Sequence, residues 1–595
     1  MERKDIDKNY KWDLREIYSS QEKYQEDINE VKTLLEKILT FKDKVLESST
    51  LLLEVLTIET SMNRKLNKLF TFINLNYTLD TRDSSYTKEL GHLIDFASEI
   101  EEKTSFITTE LSKLTEEKLE KFLEEKEELK KYEFSLRKII RNSKYILSLE
   151  KEELLSKLSP LLSAGDDIFE KLDNADVDYG EIEDSTGKKH VLTGGTYQSF
   201  ITAQDRTLRK NAVYAMHEFY KKHANTIAEC LKNNTKGNTI IADIRGYESA
   251  LEASLMDDDI TVNFYNSFIE SIRANIKTLH RMIDLYKKAM KLDEMHIYDI
   301  NAKVGKNLQE NYSVEDMKQI VKSSLEVLGD KYLEIVDKAW NENWVDFYET
   351  KGKRSGAFSS GTYDTKPYIL LNYTGSFNDV ETLAHELGHS IHSYYANKNQ
   401  DEISSNYPIF LAEIASTTHE ILLNDYLLKN AKDKQTKIFI LNNILSSYKS
   451  TVFRQTEFAE FEKIIHERTQ NGENLTCEDF TNIYMNLQNF YYDNLVNDDI
   501  IKYECFRIPH FYHSFYVYKY ATGLCIAYKF AKDILEKKEN ATENYIKFLS
   551  SGGKNYPLEI LKECGIDLEK NDVVKESITI IESYLDEFET LTEKE

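Results

Sequence analysis

The sequence predicts a mainly α-helical protein, and three observations carry that expectation. Helix breakers are scarce: 20 Gly and 5 Pro stand in 595 residues, where average usage of about 7% and 5% would give roughly forty and thirty. Apolar residues recur at spacings of three and four, as in Leu111, Leu114, Leu119, Phe122 and Leu123. Clusters of turn residues with β-branched and aromatic neighbours are confined to two short stretches. A chain of this length exceeds one typical domain, so two or more sub-domains are expected.

From Met1 to Ser163 the only glycine is Gly91 and the only proline Pro160, which reads as a stack of long amphipathic helices. Within it TEEKLEKFLEEKEELKK pairs Glu and Lys at i,i+4, the pattern of a solvated helix face rather than of an interaction arm. Between Ala164 and Gly195 five glycines and many turn residues appear, with Ser185 to Gly187 between two short apolar stretches. This predicts a small hairpin near 180–195 and a boundary near residue 200, separating an N-terminal helical lobe (1–200) from a larger C-terminal domain (201–595). Helical periodicity resumes to about Trp344. Gly356 to Ser376 then predicts two or three strands of a small antiparallel sheet, after which the pattern is helical to the C-terminus.

Charge and cysteine usage narrow the function. Lys and Arg total 77 against 103 Asp and Glu, a net charge of −26, with no basic face, which argues against nucleic acid and anionic membrane surfaces as partners. The five cysteines are scattered and never spaced as Cys-x-x-Cys, which speaks against a disulfide framework and a Cys-based metal site. The opening MERKDIDKNYKWDL carries no apolar run and no window approaches a membrane span, so a cytoplasmic protein is expected.

The chemistry concentrates in FNDVETLAHELGHSIHSYYANK, where Asn378 and Glu381 are placed as a helix start. On that helix His385 and His389 are i and i+4, so both imidazoles leave one face a turn apart and can share a metal ion, with Glu386 beside them to act on water. A chance H-E-x-x-H is expected in about one sequence in thirty of this composition, so context must support it. His466 also precedes a glutamate, but Gln470 stands where a second ligand would be, and that pair reads as an ordinary polar helix face.

A catalytic zinc needs a third protein ligand and an open fourth position. His392 lies i+7 from His385, about 10 Å along a helix, too far for one ion at roughly 2.1 Å, and ranks second. The metzincin extension would need Gly at 392 and His at 395, where the sequence has His392 and Tyr395. The better candidate is Glu413 in PIFLAEIASTTHEILL, whose helical face also carries Ser416, Thr417 and Glu420. Such a polar face on an apolar helix is costly to bury unless a cation waits opposite, and Glu420 would then hold a ligating histidine. A third segment, RIPHFYHSFYVYKYATG, gathers His510, His513, Tyr516, Tyr518 and Tyr520, donors of the kind that stabilise an oxyanion. Whether its tyrosines alternate as a strand or as i, i+2, i+4 on a helix is open.

HELGHSIH, then Glu413 in AEIASTTHE, then PHFYHSFYVYKYATG resembles the thimet-oligopeptidase family of zinc peptidases, most closely its bacterial oligoendopeptidase F branch. TGGTYQSFITAQDR from Thr193 and the GAFSSG strand share the likeness, which runs from about residue 180 to the end. The resemblance implies a bilobed, largely helical zincin with a deep channel, one Zn2+ per chain at its floor, and cleavage of short peptides. It implies His385, His389 and Glu413 as zinc ligands, Glu386 as general base, Glu420 in support of a ligand, and His513 with Tyr518 facing the oxyanion. One departure is that Ser514, Phe515, Tyr516 and Val517 separate that last pair, where the thimet branch has glycines. Thermolysin-like enzymes place their ligand glutamate 19 or 20 positions after the second histidine, and here Pro408 and Ile409 stand there.

The expected activity is therefore a zinc-dependent oligoendopeptidase acting on short unfolded peptides. Substrate backbone is expected to pair with the edge of the sheet at Gly356 and Ala357, with His510, Tyr516 and Tyr520 as further substrate contacts. The alternatives are a dipeptidyl carboxypeptidase-type exopeptidase and a non-catalytic helical peptide-binding protein.

Overall fold

In the computed structural model, residues 2–305, 311–569 and 572–593 are described. The chain divides into two compact units, each drawn from three separated stretches: Met1–Leu149, Gln309–Leu423 and Phe530–Ile566 form one, and Glu150–Leu308, Asn424–Lys529 and Asp567–Glu595 the other. The chain thus passes between units at residue 149 and again beyond 300, and not near residue 200.

The first unit begins with the helices Gln21–Leu39, Ser49–Leu79 and Ser84–Leu111. Ser20, Ser48 and Asp83 each start one by accepting a backbone N–H of its first turn. Their apolar stripes, among them Val31, Ile38, Leu52, Val55 and Leu69, are fully buried together. The Glu/Lys-rich stretch becomes a ten-residue helix, Glu116–Glu125, that buries Leu119, Phe122 and Leu123 and leaves its charges outward, as expected of a solvated face.

The sheet of this unit has three strands, β1 (Val345–Tyr348), β2 (Phe358–Ser360) and β3 (Tyr368–Tyr373), in the order β1-β3-β2. The expected antiparallel pairing is β2 with β3, with Ser359 opposite Ile369. β1 joins β3 in parallel, so the sheet is mixed. The central strand is buried from Tyr368 to Leu371, and a strand covered on both faces shows no alternation to read. The outer edge of β1 is covered by the N-terminal arm: the Trp12 amide donates to Asp346 at 3.2 Å and its indole to the Trp344 carbonyl at 2.8 Å. Asp346 is fully buried, and Arg3 at 2.6 Å and Lys353 at 2.8 Å neutralise it.

Three residues after β3, helix α1 (Phe377–Asn399) begins. Its start is Ser376 with Asp379, two positions before the expected Asn378. The Asp379 carboxylate accepts from the Ser376 amide at 2.8 Å and from the Thr374 amide at 3.0 Å, which fixes the turn out of the sheet. After the short helix Glu402–Ser405 comes α2 (Ile409–Asn430).

The second unit is built on the helix Arg206–Arg245, started by Asp205 and stopped by the left-handed Gly246. The expected hairpin is present, with Glu181–Glu183 antiparallel to Lys189–Val191. Among the described residues no helix is long and apolar enough to cross a membrane, and none of the five cysteines is in a disulfide.

Candidate active site

Helical spacing puts His385 and His389 on one face of α1, and a glycine lets the second helix reach them. A Cβ at Gly388 would lie 2.6 Å from the Ser416 Cα and 2.9 Å from the Ala415 carbonyl oxygen of α2. No larger residue fits without separating the helices. A second tie is His419, fully buried, whose Nδ1 donates to the Ala384 carbonyl at 3.1 Å while its Nε2 accepts from the Tyr332 hydroxyl at 2.6 Å. Burial holds its pKa at about 3, so it stays neutral and keeps this tautomer.

The outcome is a compact triad. The Nε2 atoms of His385 and His389 are 3.1 Å apart, and Glu413 Oε2 is 3.5 Å from the first and 3.6 Å from the second. Four ligands at roughly 2.1 Å around a tetrahedral ion are separated by about 3.4 Å. Two imidazole nitrogens and a carboxylate oxygen converging at that spacing fit a zinc-sized cation, and this is the metal-capable group of three found among the described residues.

The surrounding groups aim the donors. Glu420 Oε1 accepts from His385 Nδ1 at 2.6 Å, so that in the neutral ring Nε2, which faces the triad, is the nitrogen with the free lone pair. The Ala412 backbone beside His389 favours its protonated form. Ser416 Oγ donates to Glu413 Oε2 at 3.1 Å, so the polar face read from the sequence on α2 does serve the carboxylate. Burial opposes protonation of His385, but the bond to Glu420 and the charges of Glu420, Glu413 and Glu386 prevail and raise it to about 9. His389, half-buried and facing His385, is pushed down to about 4 by desolvation and by the charge on its neighbour. The two adjacent imidazoles therefore share one proton rather than carry two, because a second positive charge beside the first is unfavourable.

Glu386 is 8% exposed, and burial raises its carboxyl above the ordinary range. It adjoins the triad without joining it. His392 is fully buried, stacked on Tyr407 at 3.7 Å between ring centres and beside Phe548, and lies outside the triad as its helical offset predicts. Gly356 and Ala357 lead into β2, which is an edge strand of the sheet. Gly356 has a positive φ of 82° with open space where a Cβ would be, and Asn372 fixes its carbonyl at 2.8 Å.

The third segment lies in the other unit and departs from expectation. It is neither a strand nor one helix: a short turn at Pro509–Tyr512 is followed by the helix Tyr518–Leu535. Between them Phe515 adopts a left-handed φ of 60°, held by its amide donating to Glu462 at 2.9 Å. Tyr518 is turned inward, 1% exposed and edge-on to Tyr265 at 5.1 Å. Tyr516 and Tyr520 are half-buried, with rings 5.4 Å apart and each about 6 Å from His510, at 6.2 and 6.1 Å. His513 is exposed. His466, read from sequence as part of a polar face, is 3% exposed and packs under Phe515 at 4.6 Å.

Comparison with known proteins gives the family. The pattern of peptidase family M3 matches residues 199–580, and that of oligopeptidase F residues 110–179. The chain belongs to peptidase family M3. Its relatives in that family include oligopeptidase PepF of Bacillus subtilis, 38% identical over 98% of this chain and 87% of the relative. Group B oligopeptidase PepB of Streptococcus agalactiae is 34% identical, with 100% of this chain and 98% of the relative covered. The crystal structure of oligoendopeptidase-F from Enterococcus faecium superposes with a TM-score of 0.75 at 29% identity, covering 96% of this chain and 99% of that one. Membership of the family makes the chain a peptide-bond hydrolase of the metallopeptidase type. The family patterns divide between residues 179 and 199, whereas the compact units interleave along the chain.

Gly388, His419 and Ser416 are site-building residues that the sequence reading passed over or gave no role. The signal for Gly388 was available, since a glycine within a helix is unfavourable unless something approaches its backbone.

Proposed function

We propose that this chain is a zinc-dependent oligoendopeptidase that cuts internal bonds of short unfolded peptides. The observation that carries it is the convergence of His385 Nε2, His389 Nε2 and Glu413 Oε2 at 3.1 to 3.6 Å. Zinc bound there supplies Lewis acidity, polarising the scissile carbonyl and acidifying water. Glu386, whose raised pKa suits a group that must both take and return a proton, accepts the proton of the attacking water and passes it to the leaving amine. His385 is kept in its donor tautomer by Glu420. Substrate backbone adds as a strand to β2 from Gly356 and Ala357.

The oxyanion donors come from the third segment. Since the Tyr518 phenol is turned into the core of its unit, Tyr516 and Tyr520 with His510 or His513 take that role in our reading. The five unpaired cysteines suit a reducing compartment, so we place the protein in the cytoplasm, with peptides as partners and neither nucleic acid nor membrane.

The test is removal of metal. Dialysis against a chelator should abolish cleavage of an internally quenched short peptide, and one equivalent of zinc per chain should restore it. Full activity in metal-free protein would overturn the proposal, and release of only terminal dipeptides would replace it with the exopeptidase reading.

A further inference from the structure

Ser359 at the centre of β2 touches α1 at two places one helical turn apart. Its hydroxyl lies 2.8 Å from the hydroxyl of Ser390, a fully buried residue. Its backbone N–H faces the Glu386 carboxylate and favours the charged form. Glu386 and Ser390 are i and i+4 on α1, so one strand residue is gripped by two side chains of the same helix face. Neither serine can ligate the metal, and neither belongs to the triad.

This arrangement has a physical consequence for the base. A carboxylate has soft terminal torsions, and burial alone does not fix where its oxygens point. The Ser359 amide does, but only while β2 keeps its distance from α1. β2 is a three-residue edge strand paired on one side alone, so its own ladder holds it weakly. The hydroxyl pair is a second polar contact that ties it to α1 one turn from Glu386.

We propose that Ser359 and Ser390 are positioning residues for the Glu386 base, acting as one hydrogen-bonded pair that holds the Ser359 amide on the carboxylate. The inference rests on Glu386 being the base, and the experiment separates the two. Ser359→Ala, Ser390→Ala and the double variant are compared with wild type and with Glu386→Gln, measuring kcat and KM on a short peptide, zinc per chain, and thermal unfolding of the metal-free protein. Each single variant should lose about tenfold in kcat, as displacing a reacting group by a fraction of an ångström does, with KM within about twofold and zinc at one per chain.

The double variant should lose no more than either single one, because both remove the same bond. Ser359→Thr, which keeps the hydroxyl and suits a strand, should restore kcat. Adding Ser359→Ala to Glu386→Gln should leave the residual rate unchanged, since the group being positioned is gone. The unfolding temperature of the metal-free protein should differ little between Ser359→Ala and Ser359→Thr although their kcat values differ. Wild-type kcat in both alanine variants alongside an inactive Glu386→Gln would overturn the positioning role, as would a further loss when Ser359→Ala is added to Glu386→Gln. A Glu386→Gln variant as active as wild type would instead overturn the base assignment. Should Ser390→Ala lose zinc or fail to fold, Ser359→Ala and Ser359→Thr decide by the same criteria.

Discussion

The α1–α2 pair and the segment from Arg507 to Gly523 are both dense in chemistry-bearing side chains, yet the sequence describes the first far better than the second. In the helix pair every functional residue sits at a helical offset from another: His385 to His389, Glu386 to Ser390, and Glu413 to Ser416 and Glu420. A 3.6-residue period converts those offsets into shared faces without further information. In the second segment the left-handed Phe515 breaks the period between His513 and Tyr518. Adjacent aromatics are thereby sent to opposite sides, Tyr516 and Tyr520 toward His510 and Tyr518 toward Tyr265. Periodicity is a reliable guide to a site only where the backbone keeps one conformation through it.

The comparison can be broken first at the metal. Glu413→Ala should leave the protein without zinc and without activity, while His392→Ala keeps about one zinc per chain; metal analysis of the two purified variants checks this. The reverse pattern would show that helical offset had misled even in the regular region.

Glu386→Gln should keep zinc and lose roughly 10²- to 10⁴-fold in kcat, the range for a positioned acid–base group. Steady-state kinetics alongside metal content measure it.

For the irregular segment, Tyr516→Phe or Tyr520→Phe should lower kcat by about 10²- to 10³-fold in whichever phenol meets the oxyanion, with KM nearly unchanged. Tyr518→Phe should leave kcat, KM and zinc content alone, read by the same steady-state kinetics and metal analysis. A kcat effect at Tyr518 alone would restore the family-derived assignment and require a different conformation of the Phe515 turn during catalysis.

A smaller effect is expected from the residue that aims His385. Glu420→Ala should weaken zinc about 10- to 100-fold without removing a ligand, as competition with a chromogenic chelator would show.

The last expectation concerns what holds the irregular segment in place. Glu504 is buried, which would raise its pKa, but Arg454 and Arg507 more than offset this and hold it at about 2; Arg507 bonds it at 2.6 Å. A carboxyl depressed below its unfolded value of about 4.3 stabilises the fold above that pH and loses the contribution as pH falls toward 2. Glu504→Gln should therefore be less stable than wild type at pH 7 and draw level with it near pH 2, measured by urea unfolding across that range.

Helical content, the hairpin and the pairing of β2 with β3 were legible because they rest on local signals: scarce breakers, glycine-rich turns, β-branched runs. The His385, His389 and Glu413 set was legible for the same reason, with chemistry supplying the expectation that a buried acid faces a cation. Tertiary structure decided the rest. The parallel addition of β1 depends on the Trp12 arm and the Asp346–Lys353 pair, residues more than three hundred positions apart in the first case. The division into interleaved units depends on which distant stretches bury one another's apolar faces, which no local pattern encodes. Even the close approach at Gly388, where a Cβ would lie 2.6 Å from the Ser416 Cα, is a property of two helices, present in the sequence only as a glycine where a helix would prefer almost anything else.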